Sequence, residues 1–329
     1  MPRTIIFAID VEPDGRAQVA RDDNAGLSIA LGELRALRNR FEAVSQGKVC
    51  FNWFLRFDPQ TLQIFGRLNW IPSACPDVLS WIRACGDYTG VHTHFWRWDS
   101  KQRRWFTDFA DVDWCAHCLH TSIEGHAEVF GRRPEASRFG DRCLSNALIA
   151  SLKKEGIRYD LTIEPGIPDA PFADDPHASA WLPDYRRAPR LPYRPSSRDF
   201  LTPEVQQVTD SGSDLWMVPL TTTNPPKLVP VRRFPFFMKS SRCLNLVLRP
   251  QAVWEFLEQE LAHDRAEPLV MVLRAGDLGN SRFLANFRYV ASHLAGCAGL
   301  SGSRFVGVDE AVRTFATNGA APAASARSG

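Results

Sequence analysis

Apolar runs that end in charged or histidine residues recur along the chain, and most are followed by a stretch with helical spacing. The first is Ile5-Ile6-Phe7-Ala8-Ile9, a strand pattern over 4–11 that gives way to Asp10-Val11-Glu12-Pro13-Asp14. Leu27, Ile29, Leu31, Leu34, Leu37 and Phe41 then predict an amphipathic helix within 25–46. The same reading gives strands at 48–54, 89–95, 136–139 and 157–162, with helices at 75–84, 113–130 and 144–155, the last stopped by Gly156. A proline-dense section over 165–204 breaks the rhythm. Strands at 215–220, 268–273 and 305–308 and helices at 250–263, 281–294 and 309–315 resume it. Residues 1–316 read as one domain with a loop-rich insertion at about 165–204, and the small, polar residues 317–329 as a disordered tail.

Repeated β–α alternation argues for an α/β fold with a mostly parallel sheet and helices outside. The number of units suits a barrel better than an open sheet, although alternation is also compatible with a doubly wound sheet. In barrels of this kind chemistry gathers at the C-terminal ends of strands. Asp10, His92, Arg138 and Arg274 all fall at predicted strand ends.

Composition narrows the class. The chain has 329 residues, 44% hydrophobic and 23% charged, with a net charge of +2, so nothing in it calls for a nucleic-acid partner. No apolar run reaches the length of a membrane span, and the N-terminus enters a strand-like run without the features of a signal peptide, so a cytoplasmic protein is expected. The eight cysteines are scattered, mostly in apolar segments, and do not form a disulfide framework. Cys115-Ala116-His117-Cys118, with His120 and His126 nearby, has the look of a zinc knuckle. One CxxC without a second pair fits better with a helix that buries its cysteines.

The chemistry lies in two short segments. Asp10 and Glu12 are two apart and share a side of a strand, and Asp14 is a third candidate if the chain turns at Pro13. His92 and His94 share a side by the same period. Carboxylates with two histidines suit a borderline divalent ion such as zinc and point to a metal-dependent hydrolase. The aromatics that follow, Phe95, Trp96 and Trp98, either stack on a sugar face or form core, and core is expected for at least two of them. Arg186, Arg187, Arg190, Arg194 and Arg198 of the proline-dense section either clamp an anionic glycan or belong to a solvated loop, and the loop is favoured.

Asp10-Val11-Glu12, Gly90-Val91-His92-Thr93-His94, Ser137-Arg138-Phe139-Gly140 and Gly156-Ile157-Arg158-Tyr159-Asp160 stand in the order seen in polysaccharide deacetylase-like (NodB-homology, carbohydrate esterase family 4) proteins. The chain resembles divergent bacterial members found with surface-polysaccharide genes. Further echoes at 49–58, 193–196 and 305–310 extend the resemblance over about residues 3 to 316. The resemblance implies an irregular (β/α) barrel, a metal held by Asp-His-His, and hydrolysis of an N- or O-acetyl group from a sugar. Carried over, Asp10 matches the catalytic base, Glu12 the metal carboxylate, His92 and His94 the metal histidines, and Arg138 the arginine that orients the base.

Three departures accompany it. The family's adjacent acid pair is spaced here by Val11, which leaves base and ligand roles exchangeable. Its metal histidines are four apart, and these are two apart. Its late catalytic-acid histidine is replaced by Arg274-Ala275-Gly276-Asp277. Arginine cannot give up a proton near neutral pH, so Arg274 is expected to act through charge, with Asp277 as a substitute acid. The rival readings are a catalytically inactive carbohydrate-binding homologue and an amidase or cyclic-amide hydrolase on the same barrel.

Overall fold

The computed structural model describes residues 3–13, 24–45, 47–172, 175–204, 214–223, 228–231, 234–237, 243–262 and 267–319. Twelve strands occur in it: β1 (Thr4–Val11), β2 (Asn52–Arg56), β3 (Tyr88–Thr93), β4 (Trp96–Asp99), β5 (Arg104–Thr107), β6 (Ala136–Phe139), β7 (Tyr159–Asp160), β8 (Trp216–Met217), β9 (Leu228–Val231), β10 (Phe234–Phe237), β11 (Leu269–Arg274) and β12 (Arg304–Phe305). The helices are α1 (Ala25–Val44), α2 (Pro59–Phe65), α3 (Ile71–Ala74), α4 (Pro76–Cys85), α5 (Val112–Phe130), α6 (Asn146–Lys154), α7 (Pro250–Leu261), α8 (Ser281–Ala295) and α9 (Val308–Gly319).

Eight strands form one sheet in the order β11-β1-β2-β3-β6-β7-β8, with β12 also on β1. Every pairing in it is parallel. β12 takes the start of β1 at Thr4 and Ile5, and β2 takes its end from Ala8 to Val11. The sheet curls until irregular chain links its two edges: Thr221 N donates to Val270 O at 3.1 Å and Val272 N to Leu244 O at 3.0 Å. This is an open, curled parallel sheet with helices outside, which agrees with the irregular (β/α) barrel that the resemblance implies and excludes the doubly wound sheet.

Strand alternation sorts the side chains into two layers. Ile5, Phe7, Ile9, Trp53, Leu55, Leu269, Met271 and Leu273 point outward and are covered by α1, α4, α7 and α8. Ile6, Ala8, Phe54, Ala136, Val270 and Val272 point inward and fill the barrel. A third cluster joins α5 and α6 to the proline-dense section. Each fully buried Phe or Leu here contributes roughly 1.5–3 kcal/mol by leaving water. Gly90 is required in the inner layer: a Cβ there would come within 2.6 Å of Ala136 O and 2.9 Å of the Phe54 ring.

Several expectations are corrected in detail. α2 was not foreseen, although Asp58-Pro59 is a strong start signal; the Asp58 side chain accepts from the Gln60 and Thr61 amides. The β4–β5 hairpin was also missed, because its four-residue strands are too short for a period-2 signal to stand out. The terminal helix continues to Gly319, so residues 317–319 are helical. Residues 320–329, the rest of the expected tail, lie outside the described residues, as does Asp14. Cys115 and Cys118 are buried free thiols on α5, and His126 turns inward to Thr89 Oγ1 at 3.0 Å, so no zinc knuckle forms. The loop arginines are largely engaged within the protein: Arg186 with Asp184 at 2.6 Å, Arg190 with Thr222 O at 2.8 Å, and Arg194 over the Trp216 ring at 5.3 Å. Among the described residues no helix is long and apolar enough to cross a membrane.

Candidate active site

The inward series continues past the apolar plug to the C-terminal strand ends, where it turns charged. β1 follows Ile6 and Ala8 with Asp10 and Glu12, β2 follows Phe54 with Arg56, and β3 follows Gly90 with His92 and then His94. β6 follows Ala136 with Arg138, and β11 follows Val272 with Arg274. Register places Arg56, His92 and Arg138 at one level across three strands, and Asp10 beside Arg274.

Glu12, His92 and His94 form the centre, and all three are buried. The two histidine Nε2 atoms are 3.1 Å apart. His94 Nε2 lies 3.1 Å from Glu12 Oε2, and His92 Nε2 lies 3.5 Å from Glu12 Oε1. Bonds of about 2.0–2.2 Å in tetrahedral array put neighbouring ligand atoms about 3.3–3.6 Å apart. The observed separations of 3.1, 3.1 and 3.5 Å, the last two measured to different oxygens of Glu12, lie within about 0.2 Å of this range, so the three side chains fit a divalent metal ion. Their far ring nitrogens face carboxylates, as ligating imidazoles do. His94 Nδ1 is 2.9 Å from Asp141 Oδ2. His92 Nδ1 has no hydrogen-bond partner, and its nearest carboxylate oxygen is Asp10 Oδ1 at 3.6 Å.

Asp10 is held apart from this triangle. Arg138 Nε donates to its two oxygens at 2.9 and 3.1 Å, while Arg138 Nη1 donates to Leu161 O at 3.0 Å. Arg274 reaches Glu12 instead: its Nε donates to Oε1 at 2.8 Å and its Nη1 to Asp277 Oδ1 at 2.8 Å. Asp277 is thus engaged by Arg274. Burial alone would raise the Glu12 carboxyl, but Arg274, His94 and His92 hold it well below the usual carboxylate range. Burial and Arg56 push the His94 imidazole down; Asp141 and Glu12 outweigh them and lift it to about 9.

Three residues of this site escaped sequence reasoning. Arg56 is buried, donates to Asp58 Oδ2 at 2.6 Å and to Gln60 Oε1, and approaches Glu12 Oε2 at 3.5 Å. Asp58 also accepts from the His94 amide at 3.0 Å, which fixes the end of β3. An arginine closing the apolar strand Asn52–Leu55 was the available signal. Asp141 gave none, since it lies on a short turn after β6 where both it and Arg142 take left-handed φ values of 53° and 60°.

No family model matches the chain, and no curated protein matches it in sequence. Solved structures do match its fold. A protein from Mycobacterium smegmatis assigned as a polysaccharide deacetylase aligns over 96% of this chain and 91% of its own, at 16% identity and a TM-score of 0.52. A protein from Parabacteroides distasonis assigned as a glycoside hydrolase/deacetylase aligns over 96% and 72%, at 14% identity and a TM-score of 0.59. A third, from Pseudomonas aeruginosa PAO1 and assigned as a polysaccharide deacetylase, aligns over 95% and 91%, at 13% identity and a TM-score of 0.50. The chain has the polysaccharide deacetylase fold. Within that fold its charged strand ends occupy the mouth where the barrel architecture concentrates chemistry.

Proposed function

We propose that the protein is a metal-dependent hydrolase that removes an N- or O-linked acetyl group from a sugar or polysaccharide. The observation that carries the reading is the Glu12-His92-His94 triangle, at the mouth of a deacetylase-type barrel. Zinc is the proposed ion, because two imidazoles and one carboxylate are a common set for a zinc that keeps a position open. When bound, the metal would polarise the acetyl carbonyl and lower the pKa of a water. Asp10, held by Arg138, is proposed to take the proton from the attacking nucleophile. Arg274 is proposed to act through Glu12, fixing the carboxylate for ligation and offsetting its charge, with Asp277 holding the guanidinium in place. A cytoplasmic setting is proposed on the eight free thiols.

Arg274, in place of the family's acid histidine, favours one second reading: a carbohydrate-binding homologue without turnover. The deciding experiment combines plasma emission spectroscopy of the purified protein with acetate release from N- and O-acetylated sugars. The expected result is one bound divalent ion and zinc-dependent acetate release, with metal lost in His92→Ala and His94→Ala. Metal binding and glycan binding without acetate release would establish the second reading. Unchanged metal content in both histidine variants would overturn the ligand assignment.

A further inference from the structure

The β4–β5 hairpin starts two residues after His94, and its two faces have different surroundings. On one face Arg97 is fastened to the body of the protein: its Nη1 donates to Asp108 at 2.6 Å and Asp111 at 2.9 Å, and its guanidinium stacks over Trp114 at 4.5 Å. Trp114 Nε1 in turn donates to Phe95 O at 3.1 Å. The other face, by strand alternation, carries Trp96, Trp98 and the Trp105 that pairs with Trp98. Trp96 is 3% exposed, and its Nε1 lies 3.3 Å from His94 Nδ1, so this face begins at the metal-binding triangle. Two residues further out Trp98 is 38% exposed and meets Trp105 edge-to-face at 5.4 Å. The hairpin tip is closed by Asp99, whose Oδ1 accepts from the amides of Lys101 and Gln102 at 2.9 and 3.1 Å.

The result is a row of indoles that leads from the site to solvent, on a ribbon braced from behind. Core packing accounts for Trp96 but not for Trp98, whose ring stays open to water while its neighbour Trp105 meets it edge-on at an interplanar angle of 62°. An apolar, rigid face flanked by polar tip residues fits a pyranose ring, which offers a patch of C–H groups on one face and hydroxyls around its rim. We infer that Trp98 and Trp105 form a glycan subsite, which binds the sugar unit next to the one at the metal-binding triangle. This rests on the hydrolase reading for its choice of ligand, and on the hairpin geometry for its place.

The test is calorimetric titration of the zinc-loaded protein with two probe series: β-1,4-linked N-acetylglucosamine oligomers and acetylated xylo-oligosaccharides, each of one to five units. For the series that binds, wild-type affinity should rise from one unit to three. Trp98→Ala and Trp105→Ala should lose on the order of tenfold for the longer chains and nothing for the single unit. Zinc content and melting temperature should stay at wild-type values, since Arg97 and Trp114 still anchor the hairpin. In turnover the loss should fall on KM, with kcat kept. Affinity independent of chain length, equal binding by wild type and both variants, or no binding of either series would overturn the inference. So would concentration-dependent self-association abolished by Trp98→Ala, which would assign the face to a second copy of the chain. Length-dependent, Trp98-dependent binding without acetate release would leave the subsite standing and defeat the hydrolase reading instead.

Discussion

A methyl group added at Gly140 should disable the metal centre without removing any ligand. A Cβ built on Gly140 would come within 2.2 Å of His94 Cε1 and Nε2 and 2.4 Å of Cδ2. Carbon atoms in contact prefer about 3.5–4.0 Å, so the ring must retreat by about 1 Å or more. The backbone at Gly140 has little room to retreat instead. Its carbonyl accepts from the Cys143 amide at 3.1 Å, and two residues on Arg142 O accepts from the Tyr185 hydroxyl at 2.6 Å. Metal sites tolerate ligand displacements of about 0.2 Å, so a shift of this size removes His94 Nε2 from the triangle and breaks its approach to Asp141. Losing a contact outside the ligand set commonly costs 10- to 100-fold in metal affinity; here a ligand is displaced as well, so Gly140→Ala should weaken zinc by at least about 100-fold, or about 2.7 kcal/mol. Overpacking should cost about 1–3 kcal/mol of stability. Competition titration against a chromophoric zinc chelator gives the affinity, and thermal unfolding in EDTA confirms that the variant is folded. Wild-type zinc affinity in a folded Gly140→Ala protein would refute the placement of His94.

Arg274→Ala should lower turnover on the order of 100-fold by freeing Glu12, while Arg274→Lys should recover only part because its single ammonium cannot serve Glu12 and Asp277 in the same fork; full activity in Arg274→Ala on an identified substrate would make this residue structural. Asp87→Asn should destabilise the fold by about 3–5 kcal/mol in urea titration, because Arg38, which donates to Asp87 at 2.8 and 2.6 Å, would remain as a buried unpaired cation. His126 supplies a pH prediction: burial, more than the nearby Arg132 charge, pushes its imidazole down to about 4 from an ordinary 6.5. Its contribution is therefore fully present above about pH 6.5 and lost as pH falls through 4, where the unfolded chain binds a proton that the folded chain resists, at a cost of order 3 kcal/mol. His126→Gln should flatten the stability profile across that window, and an unchanged profile would show that other groups set it.

Local pattern determined the scaffold because it depends only on neighbours in sequence. Period 2 in Thr4–Val11 fixed both the strand and the shared side of Asp10 and Glu12, and the same period set His92 beside His94. The β–α alternation then implied a mostly parallel sheet, better suited to a barrel than to an open sheet, and strand ends were the natural place to look for chemistry. Pairings across long sequence separations were decided by the tertiary structure alone. Arg138 meets Asp10 over 128 residues, and Arg274 meets Glu12 over 262, so the register of a sheet several strands wide determines which arginine serves which acid. The spacing of Asp10 and Glu12 left base and ligand roles exchangeable; the curl of the barrel puts Glu12 in the triangle with His92 and His94 and turns Asp10 toward Arg138. Asp141 was illegible for the same reason, since its value lies in a left-handed turn that brings it 2.9 Å from a histidine 47 residues away. The aromatic segment after His94 divides along the same line. Composition made Phe95, Trp96 and Trp98 equal candidates for core. Only the hairpin, folded back and pinned by Arg97, buries the first two and leaves Trp98 at the surface.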